Sequence, residues 1–301
     1  MTAGLRVPGR LARTVVAAFG DVGRNWLAEL PDLVAHAASG WQLEVGAPYE
    51  PGGNVGWVAP VRRVDGGEAV LKVECPGHAN PWAAKGLQHW AGRGAVRLLA
   101  SDETLQIHLL ERCMPGTNGD GLDAAAGVEA VAEVLAELHA VAPPPEDEFE
   151  PLAGLVERSR ETMWEWFERF RPPMDRGLVA RADELFTSLA ASSDDMVLIH
   201  GDLGPSNVVL SERGWLAIDP YPVLGDPAFD VGHDLSRCDL RNAREHIATF
   251  ADRLELDGRR IASWALACCV ELTLECSSVG DAEGFRTCLG RTEQLLSQRL
   301  V

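Results

Sequence analysis

The sequence lacks several features that would place it in other classes of protein. No apolar run approaches the roughly 18 residues of a membrane-spanning helix, and the nearest, at 264–274, is interrupted by Glu271. The early residues include arginines but no apolar core with a small-residue cleavage site, so we expect an unprocessed, cytoplasmic chain without a membrane partner. With 46% hydrophobic and 24% charged residues, the composition excludes a disordered or collagen-like chain.

Paired metal-binding cysteines and an excess of basic charge are also missing. The seven cysteines are scattered and form no C-x-x-C pair, which excludes a zinc ribbon and indicates reduced, mostly buried thiols. The 27 basic residues stand against 45 acidic ones, a net charge of −18. Because such a surface repels a phosphate backbone, we expect no nucleic-acid partner. The same charge attracts a polycationic small molecule, or it serves solubility alone.

The chain divides into a mixed first part and a mainly helical second part. A helix is predicted at 20–39, and a second at 81–93 is inserted among strands that together indicate a small antiparallel sheet. Those strands are predicted at 42–49, 55–64, 68–74, 95–100 and 104–111. Residues 114–119 are typical of a crossover linker, so the predicted domains are 1–113 and 114–301.

The second part contains a non-helical segment at 197–230. Helices are predicted on both sides of it, at 122–140, 152–170, 178–190 and from about 240 onward, and strands within it at 197–200, 208–210 and 215–218. The segment holds most of the unusual polar residues, so we expect the chemistry there. The predicted fold class is therefore α+β.

This segment carries the residue types that phosphoryl transfer needs. Asp202 is followed five residues later by Asn207, and a strand then leads to Asp219. One carboxylate must accept the proton of the attacking hydroxyl, which suits Asp202, and hard oxygen donors must hold Mg²⁺, which suits Asn207 and Asp219. Asp, Asn, Gly and Pro also build ordinary turns. The ordered combination with two apolar strands favours the functional interpretation.

The segments 200–207, 218–220 and 225–230 resemble those of the aminoglycoside phosphotransferases, and most closely the streptomycin 6-kinase and hydroxyurea-resistance kinase branch. The residues at 70–73, 90–99 and 109–112 support the resemblance, which extends over nearly the whole chain. It implies a bilobal protein-kinase-like fold that uses ATP and Mg²⁺. The first lobe would be a sheet with one inserted helix that covers the nucleotide, and the helical second lobe would carry the catalytic loop and the acceptor site.

The resemblance also implies a nucleotide site in the first lobe. Lys72 lies in an apolar strand and would neutralise the α and β phosphates, although a strand-edge lysine that reaches water shows the same pattern. A Gly-rich turn at 51–56 would cover the phosphates, and the hinge at 111–113 would bind adenine through its backbone. The residues predicted to contact the nucleotide are Lys72, Gly52, Gly53, Asn54, Glu111 and Cys113.

The sequence departs from the family pattern at two places. The helix predicted at 81–93 contains no acid to pair with Lys72, and Ala83 stands near the expected position. Glu74 lies on the same strand face as Lys72 but is predicted to be a poor substitute, which would lower activity. Gly204 replaces a side chain in the catalytic loop and is expected to loosen it.

The acceptor site is predicted from charge. A cationic acceptor favours a pocket lined with carboxylates, for which Asp234, Glu271 and Glu275 are candidates, although each also fits a solvated helix face. The residues expected to support the catalytic loop structurally are His200, Asp226 and Asp230.

The leading hypothesis is an ATP- and Mg²⁺-dependent phosphotransferase acting on a hydroxyl of an aminoglycoside, with streptomycin the first candidate. A kinase of an unrelated hydroxylated metabolite and a weakly active nucleotide-binding protein remain alternatives. A metal-dependent hydrolase is a third, with His200, Asp202, Asp219 and His233 as metal ligands. The sequence leaves open the acceptor, the choice between ATP and GTP, and whether the protein is a monomer or a homodimer.

Overall fold

The computed structural model of the chain describes residues 5–77, 80–193 and 195–300. Contacts within it separate two units. Unit 1 comprises residues 1–92 and 96–116, and unit 2 comprises residues 93–95 and 117–301.

Unit 1 is built on a five-stranded antiparallel sheet with the order β1-β2-β3-β5-β4. A helix, α2 (Ala83–Trp90), lies between the third and fourth strands in the chain, as predicted. The strands are β1 (Leu43–Val45), β2 (Gly56–Arg63), β3 (Glu68–Glu74), β4 (Leu98–Asp102) and β5 (Ile107–Glu111).

A long helix, α1 (Gly9–Gly40), covers one face of this sheet. It begins earlier than predicted and is broken at Gly20, whose φ of 55° and ψ of −121° are not helical. After the break, Trp26, Leu30 and Val34 recur every fourth residue, and this spacing places them together in the core of unit 1. Val22, one turn before Trp26, is 48% exposed.

Unit 2 is mainly helical and contains two short antiparallel strand pairs. Strand β6 (Val197–Ile199) pairs with β9 (Val223–Gly225), and β7 (Val208–Ser211) forms a hairpin with β8 (Gly214–Ala217). The helices are α3 (Ala124–His139), α4 (Leu152–Phe170), α5 (Arg176–Ala191), α6 (Pro227–Arg237), α7 (Ala243–Leu254), α8 (Gly258–Ser278) and α9 (Ala282–Ser297).

The sequence analysis missed α6 because Gly225-Asp226-Pro227 resembles a turn. In the structure Asp226 is the N-cap of α6, with its Oδ1 accepting from the Ala228 N–H at 3.0 Å. Pro227 occupies the first helical turn, where its missing N–H costs nothing. The same residues that suggested a loop therefore begin a helix, and that helix carries much of the site described below.

Helix α8 is the central helix of unit 2. Its length and mean hydropathy alone would allow it to cross a membrane. Most of its apolar window is instead buried inside the structure, where it packs against α4, α5, α6 and α9. A helix that is apolar on most sides is expected at the centre of a helical domain.

Candidate active site

The loop between β6 and β7 holds Asp202 and Asn207 in direct contact. The Asn207 Nδ2 donates to the Asp202 backbone oxygen at 2.7 Å and to the Asp202 Oδ2 at 3.2 Å. A short 3₁₀ helix (Pro205–Asn207) gives the chain the turn that brings them together. Because the amide nitrogen faces Asp202, the amide oxygen of Asn207 points away from it and remains a hard oxygen donor.

His200 anchors the start of this loop as a neutral imidazole. Burial lowers its pKa from the usual 6.5, so the ring has one donor and one acceptor nitrogen. Its Nε2 lies 3.1 Å from the Ile218 oxygen, and its Nδ1 accepts from the Asp202 N–H at 3.3 Å. Both nitrogens are therefore committed to the backbone on either side of the site.

Asp230 fixes the same loop from α6. Its carboxylate accepts from the N–H groups of His200 at 2.8 Å and Gly201 at 2.7 Å, and it lies 3.0 Å from the His139 Nε2. Burial by itself raises the pKa of Asp230, but these hydrogen bonds and the histidines outweigh it and hold the pKa below 3.8. Gly201 has φ +77°, and a Cβ there would lie 2.1 Å from the Tyr221 oxygen. Only glycine fits this turn.

Asp226 has a different set of contacts from Asp230. Besides capping α6, its Oδ2 accepts from the Arg260 Nε at 2.5 Å and from the Trp264 Nε1 at 2.6 Å, both on α8. These bonds fasten the start of α6 to the central helix. Asp226 therefore acts on the loop only through α6, which carries Asp230.

Asp219 lies at the same end of the β7–β8 hairpin as Asn207. The Ile218 N–H donates to the Asn207 backbone oxygen at 2.9 Å. Ile218 therefore lies opposite Asn207, and Asp219 follows it directly. Its φ of +60° is unusual for a residue with a side chain, and such strain persists mostly at functional positions. An amide oxygen and a carboxylate at one hairpin end form a donor set that fits Mg²⁺.

The structure argues against the alternative that the protein is a metal-dependent hydrolase. Within the part of the chain that the structure describes, no group of three or more His, Cys, Asp or Glu side chains is placed to hold a metal. His200 uses both ring nitrogens in backbone contacts. Zinc sites need several nitrogen, sulfur or carboxylate ligands around one point, and the proposed four residues do not provide them.

In unit 1, Lys72 is paired with Glu74. The Lys72 Nζ lies 2.5 Å from the Glu74 Oε1, and both side chains are about nine-tenths buried. The contact forms, while the expectation that Glu74 substitutes poorly for a helix acid in activity stays a prediction. The two residues are on the same face of β3, and their burial keeps water from competing with the pair. Lys72 thus has an acidic partner on its own strand.

The other residues predicted to contact a nucleotide also lie in unit 1. Gly52 has φ +86°, and a Cβ there would lie 2.8 Å from Pro8, while the Asn54 Oδ1 accepts from Arg10 at 2.7 Å. The Gly53 position is equally tight, since its Cβ would lie 2.9 Å from the Gly56 oxygen. The turn at 51–56 thus packs on the N-terminal segment.

Glu111 and Cys113 end the sheet of unit 1. The Glu111 N–H donates to the Arg97 oxygen at 2.9 Å, and its carboxylate accepts from the Arg97 N–H at 3.0 Å. This backbone N–H is therefore not available to a nucleotide. Cys113 is partly exposed, two residues after β5 ends.

The carboxyls predicted for the acceptor site lie in three different environments. Asp234 on α6 is 2% exposed, and a Cβ on Gly204 would lie 3.1 Å from its Oδ1. Gly204 thus lets Asp234 approach the catalytic loop, a role the sequence analysis did not assign to it. Burial raises the pKa of Glu271, against a hydrogen bond with Ser159, whereas Glu275 is exposed.

Arg237 is a site residue that the sequence analysis missed. Its NH1 lies 3.0 Å from the Asp202 Oδ1 and 2.8 and 2.7 Å from the two ring nitrogens of His233. Burial and the Arg237 charge lower the pKa of His233 to about 3. The spacing of 233, 234 and 237 would place these residues on one face of a helix. It did not indicate a site because no helix was predicted at 227–237.

Asp234 gives a pH-dependent prediction. Burial raises its pKa from 3.8 to about 7, against smaller effects of Cys238 and Arg237. The folded protein therefore binds a proton that the unfolded chain releases between pH 4 and 7, and stability falls as the pH rises through this window. We expect Asp234→Asn to raise the free energy of unfolding at pH 8 by about 2–4 kcal/mol relative to the native protein, at about 1.4 kcal/mol per pKa unit.

Urea denaturation at pH 4 and pH 8 measures this difference. The gain of Asp234→Asn should shrink towards pH 4, where the carboxyl is protonated in the folded protein and nearly half protonated in the unfolded chain. Glu275→Gln, an exposed change of the same kind on α8, is the control. A gain that is equal at both pH values would show that Asp234 is not held protonated by burial.

Comparison with known proteins identifies the family. The model of the aminoglycoside/hydroxyurea antibiotic resistance kinase family matches residues 46–280. A streptomycin 6-kinase of Streptomyces griseus is 35% identical over 290 residues, 90% of each chain. A hydroxyurea phosphotransferase of Kitasatospora aureofaciens is 36% identical over 234 residues, 75% of this chain and 67% of that protein.

A solved structure supports the fold. A thermostable mutant of the aminoglycoside phosphotransferase APH(4)-Ia, in a ternary complex with AMP-PNP and hygromycin B, superimposes with a TM-score of 0.62 at 17% identity. The match covers 84% of this chain and 94% of that one. The predicted α+β, protein-kinase-like fold and the predicted resemblance are both confirmed. The chain belongs to the aminoglycoside/hydroxyurea antibiotic resistance kinase family and is a small-molecule kinase.

Proposed function

We propose that this kinase transfers the γ-phosphoryl group of ATP, with Mg²⁺, to a hydroxyl of an aminoglycoside-type antibiotic, streptomycin being the first candidate. The observation that carries the proposal is the contact of Asn207 with Asp202 at the hairpin end that also presents Asp219. A proton acceptor and two hard oxygen donors are the groups that phosphoryl transfer requires. The similarity to a streptomycin 6-kinase over 90% of the chain supports this acceptor.

Each residue of the site has a role in this scheme. Asp202 orients the acceptor hydroxyl by accepting its hydrogen bond, and takes its proton as the new oxygen–phosphorus bond forms. The Asn207 amide oxygen and the Asp219 carboxylate would hold Mg²⁺, and Lys72, paired with Glu74, would hold the phosphates. When bound, ATP would supply the phosphoryl group, and Mg²⁺ would neutralise the negative charge that develops during its transfer. His200 and Asp230 keep the loop rigid, so that Asp202 needs no reorganisation.

Charge supports a cationic acceptor. The net charge of −18 steers cations towards the protein, and Asp234 lies beside the catalytic loop. We also propose a cytoplasmic monomer or homodimer without a nucleic-acid or membrane partner. The weakly active nucleotide-binding alternative was motivated by the missing helix acid, and the acidic partner that Lys72 has in Glu74 favours the active enzyme over it.

Acceptor-dependent release of ADP from Mg·ATP tests the proposal. The acceptors would be streptomycin, other aminoglycosides, hydroxyurea and simple amino sugars. Asp202→Ala should lower the stimulated release at least about a hundredfold, while Asp252→Ala, which removes an exposed carboxylate on α7, should leave it unchanged. If no acceptor stimulates release while ATP binds, the proposed acceptor class is wrong; if ATP does not bind, the nucleotide role of Lys72 is also wrong.

The scarcity of lysine allows a direct test of Lys72. The chain has only two lysines, Lys72 and Lys85, so a lysine-reactive acyl phosphate of ATP can be mapped without ambiguity. We expect Lys72 to be acylated and Lys85 to be spared, because only Lys72 is proposed to hold the phosphates. Excess ATP should protect Lys72, as read by peptide mass spectrometry. Equal labelling of both lysines would argue against a nucleotide site at Lys72.

A further inference from the structure

Both oxygens of the Asp202 carboxylate already have a donor from the protein itself. The Asn207 Nδ2 contacts Oδ2 at 3.2 Å, and the Arg237 NH1 contacts Oδ1 at 3.0 Å. The first contact belongs to the rigid loop. The contact with Arg237 comes from a long, charged side chain at the end of α6. The Arg237 side chain can therefore move away from Asp202 more easily than Asn207 can.

Arg237 is held weakly at this position. The Arg237 and Asp202 side chains are each 46% exposed, so water competes with both partners and weakens the ion pair. Its second partner is the ring of His233, which burial and the Arg237 charge keep neutral. A neutral ring offers one lone pair and no charge. Displacing Arg237 therefore costs little, and the side chain has solvent into which it can move.

The carboxyls around Arg237 extend beyond Asp202. Burial raises the pKa of Asp234 and of Glu271, and the Arg237 charge opposes the rise at both. One guanidinium thus lies within electrostatic reach of a carboxyl on the catalytic loop, one on α6 and one on α8. A cation that took its place would contact the Asp202 carboxylate and lie near two carboxyls whose ionisation burial opposes.

We propose that Arg237 is a specificity residue that acts as a displaceable counter-ion, which a cationic acceptor must replace when its hydroxyl reaches Asp202. Either kind of acceptor must displace the guanidinium from the catalytic carboxylate, but only a cationic acceptor is also repelled by its charge. Arg237 therefore weakens the binding of cationic acceptors and has no part in phosphoryl transfer itself. This inference rests on the proposed role of Asp202 as the group that receives the hydroxyl.

Replacing Arg237 with methionine separates this role from others. Met keeps the apolar stem of the side chain without the charge, and Arg237→Lys restores the charge. We expect Arg237→Met to lower KM for streptomycin, which is cationic, about five- to tenfold, the size of a like-charge effect near 1 kcal/mol. The kcat should be retained, and KM for neutral hydroxyurea, which the charge does not repel, should fall less than KM for streptomycin. Arg237→Lys should behave as the native enzyme does.

Arg241→Met is the matched control. Arg241 follows shortly after α6, is exposed and pairs with Asp239, so its removal changes the net charge by the same amount. An equal fall of KM in Arg241→Met would overturn the inference in favour of net charge alone. A fall of kcat with both acceptors in Arg237→Met would overturn it in favour of a role in transfer. If the native enzyme turns over neither acceptor, the proposed function fails first; calorimetric binding of streptomycin to native protein and Arg237→Met still tests the counter-ion role.

Discussion

Replacing Asp202 with alanine is expected to lower kcat by about 10²–10⁴-fold, the usual contribution of a positioned general base. The Asn207 amide donates to both the backbone oxygen and the side-chain carboxylate of Asp202. Removing the carboxylate leaves the acceptor hydroxyl without the group that orients it and takes its proton. The proposed magnesium donors, Asn207 and Asp219, are retained, so nucleotide binding should change little.

Initial rates at saturating acceptor and separate measurement of ATP affinity check this expectation. The loss should appear in kcat, because an interaction made chiefly in the transition state lowers kcat and kcat/KM together. Asp252→Ala controls for the loss of one negative charge from the surface of unit 2. An Asp202→Ala enzyme that kept a tenth or more of the native kcat would remove Asp202 from the mechanism.

Replacing Asp230 with alanine is expected to destabilise unit 2 by about 3–5 kcal/mol, the usual cost of breaking a buried charged network. Asp230 is fully buried, and its carboxylate accepts hydrogen bonds from the N–H groups of His200 and Gly201. Without it, both buried donors and His139 lose their acceptor, and an unsatisfied buried donor costs about 1–3 kcal/mol. The catalytic loop would also lose its anchor to α6, so activity should fall even where the protein remains folded.

Urea denaturation at several pH values tests the role of Asp230. Its pKa in the fold is lowered below 3.8, so its contribution to stability is present above that pH and is lost as the pH falls through the lowered value. The difference between native protein and Asp230→Ala should therefore be full at neutral pH and shrink in strong acid. Ser206→Ala, an exposed change in the same loop, is the control. A loss below 1 kcal/mol at pH 7 would contradict the structural role.

Local pattern was enough to predict much of the fold. Strand β3 (Glu68–Glu74) and helix α4 (Leu152–Phe170) have the predicted bounds, because hairpin turns and proline clusters delimit them. Helix α6 was missed because its cap, Asp226-Pro227, has the composition of a turn. Strand β9 was missed because a strand of three residues carries too little alternation to detect.

The site was predicted in its residue types but not in its contacts. The order of Asp202, Asn207 and Asp219 along the chain suggested phosphoryl transfer, since the chemistry restricts which groups can serve. The proximity of Gly204 to Asp234 and of Arg237 to Asp202 depends on how α6 packs on the loop, which local spacing does not encode. The Lys72–Glu74 contact depends on the burial of both side chains in unit 1, which the pattern of β3 does not encode.

The most direct test of the account is to follow the γ-phosphoryl group itself. Native protein would be incubated with γ-labelled ATP, Mg²⁺ and streptomycin. The product would then be separated and its mass measured by mass spectrometry. We expect labelled streptomycin that is heavier by one phosphoryl group and that Asp202→Ala forms at least about a hundredfold more slowly. Label that stays in ATP, or appears only as inorganic phosphate with every acceptor of the panel, would contradict a kinase that acts on this class of antibiotic.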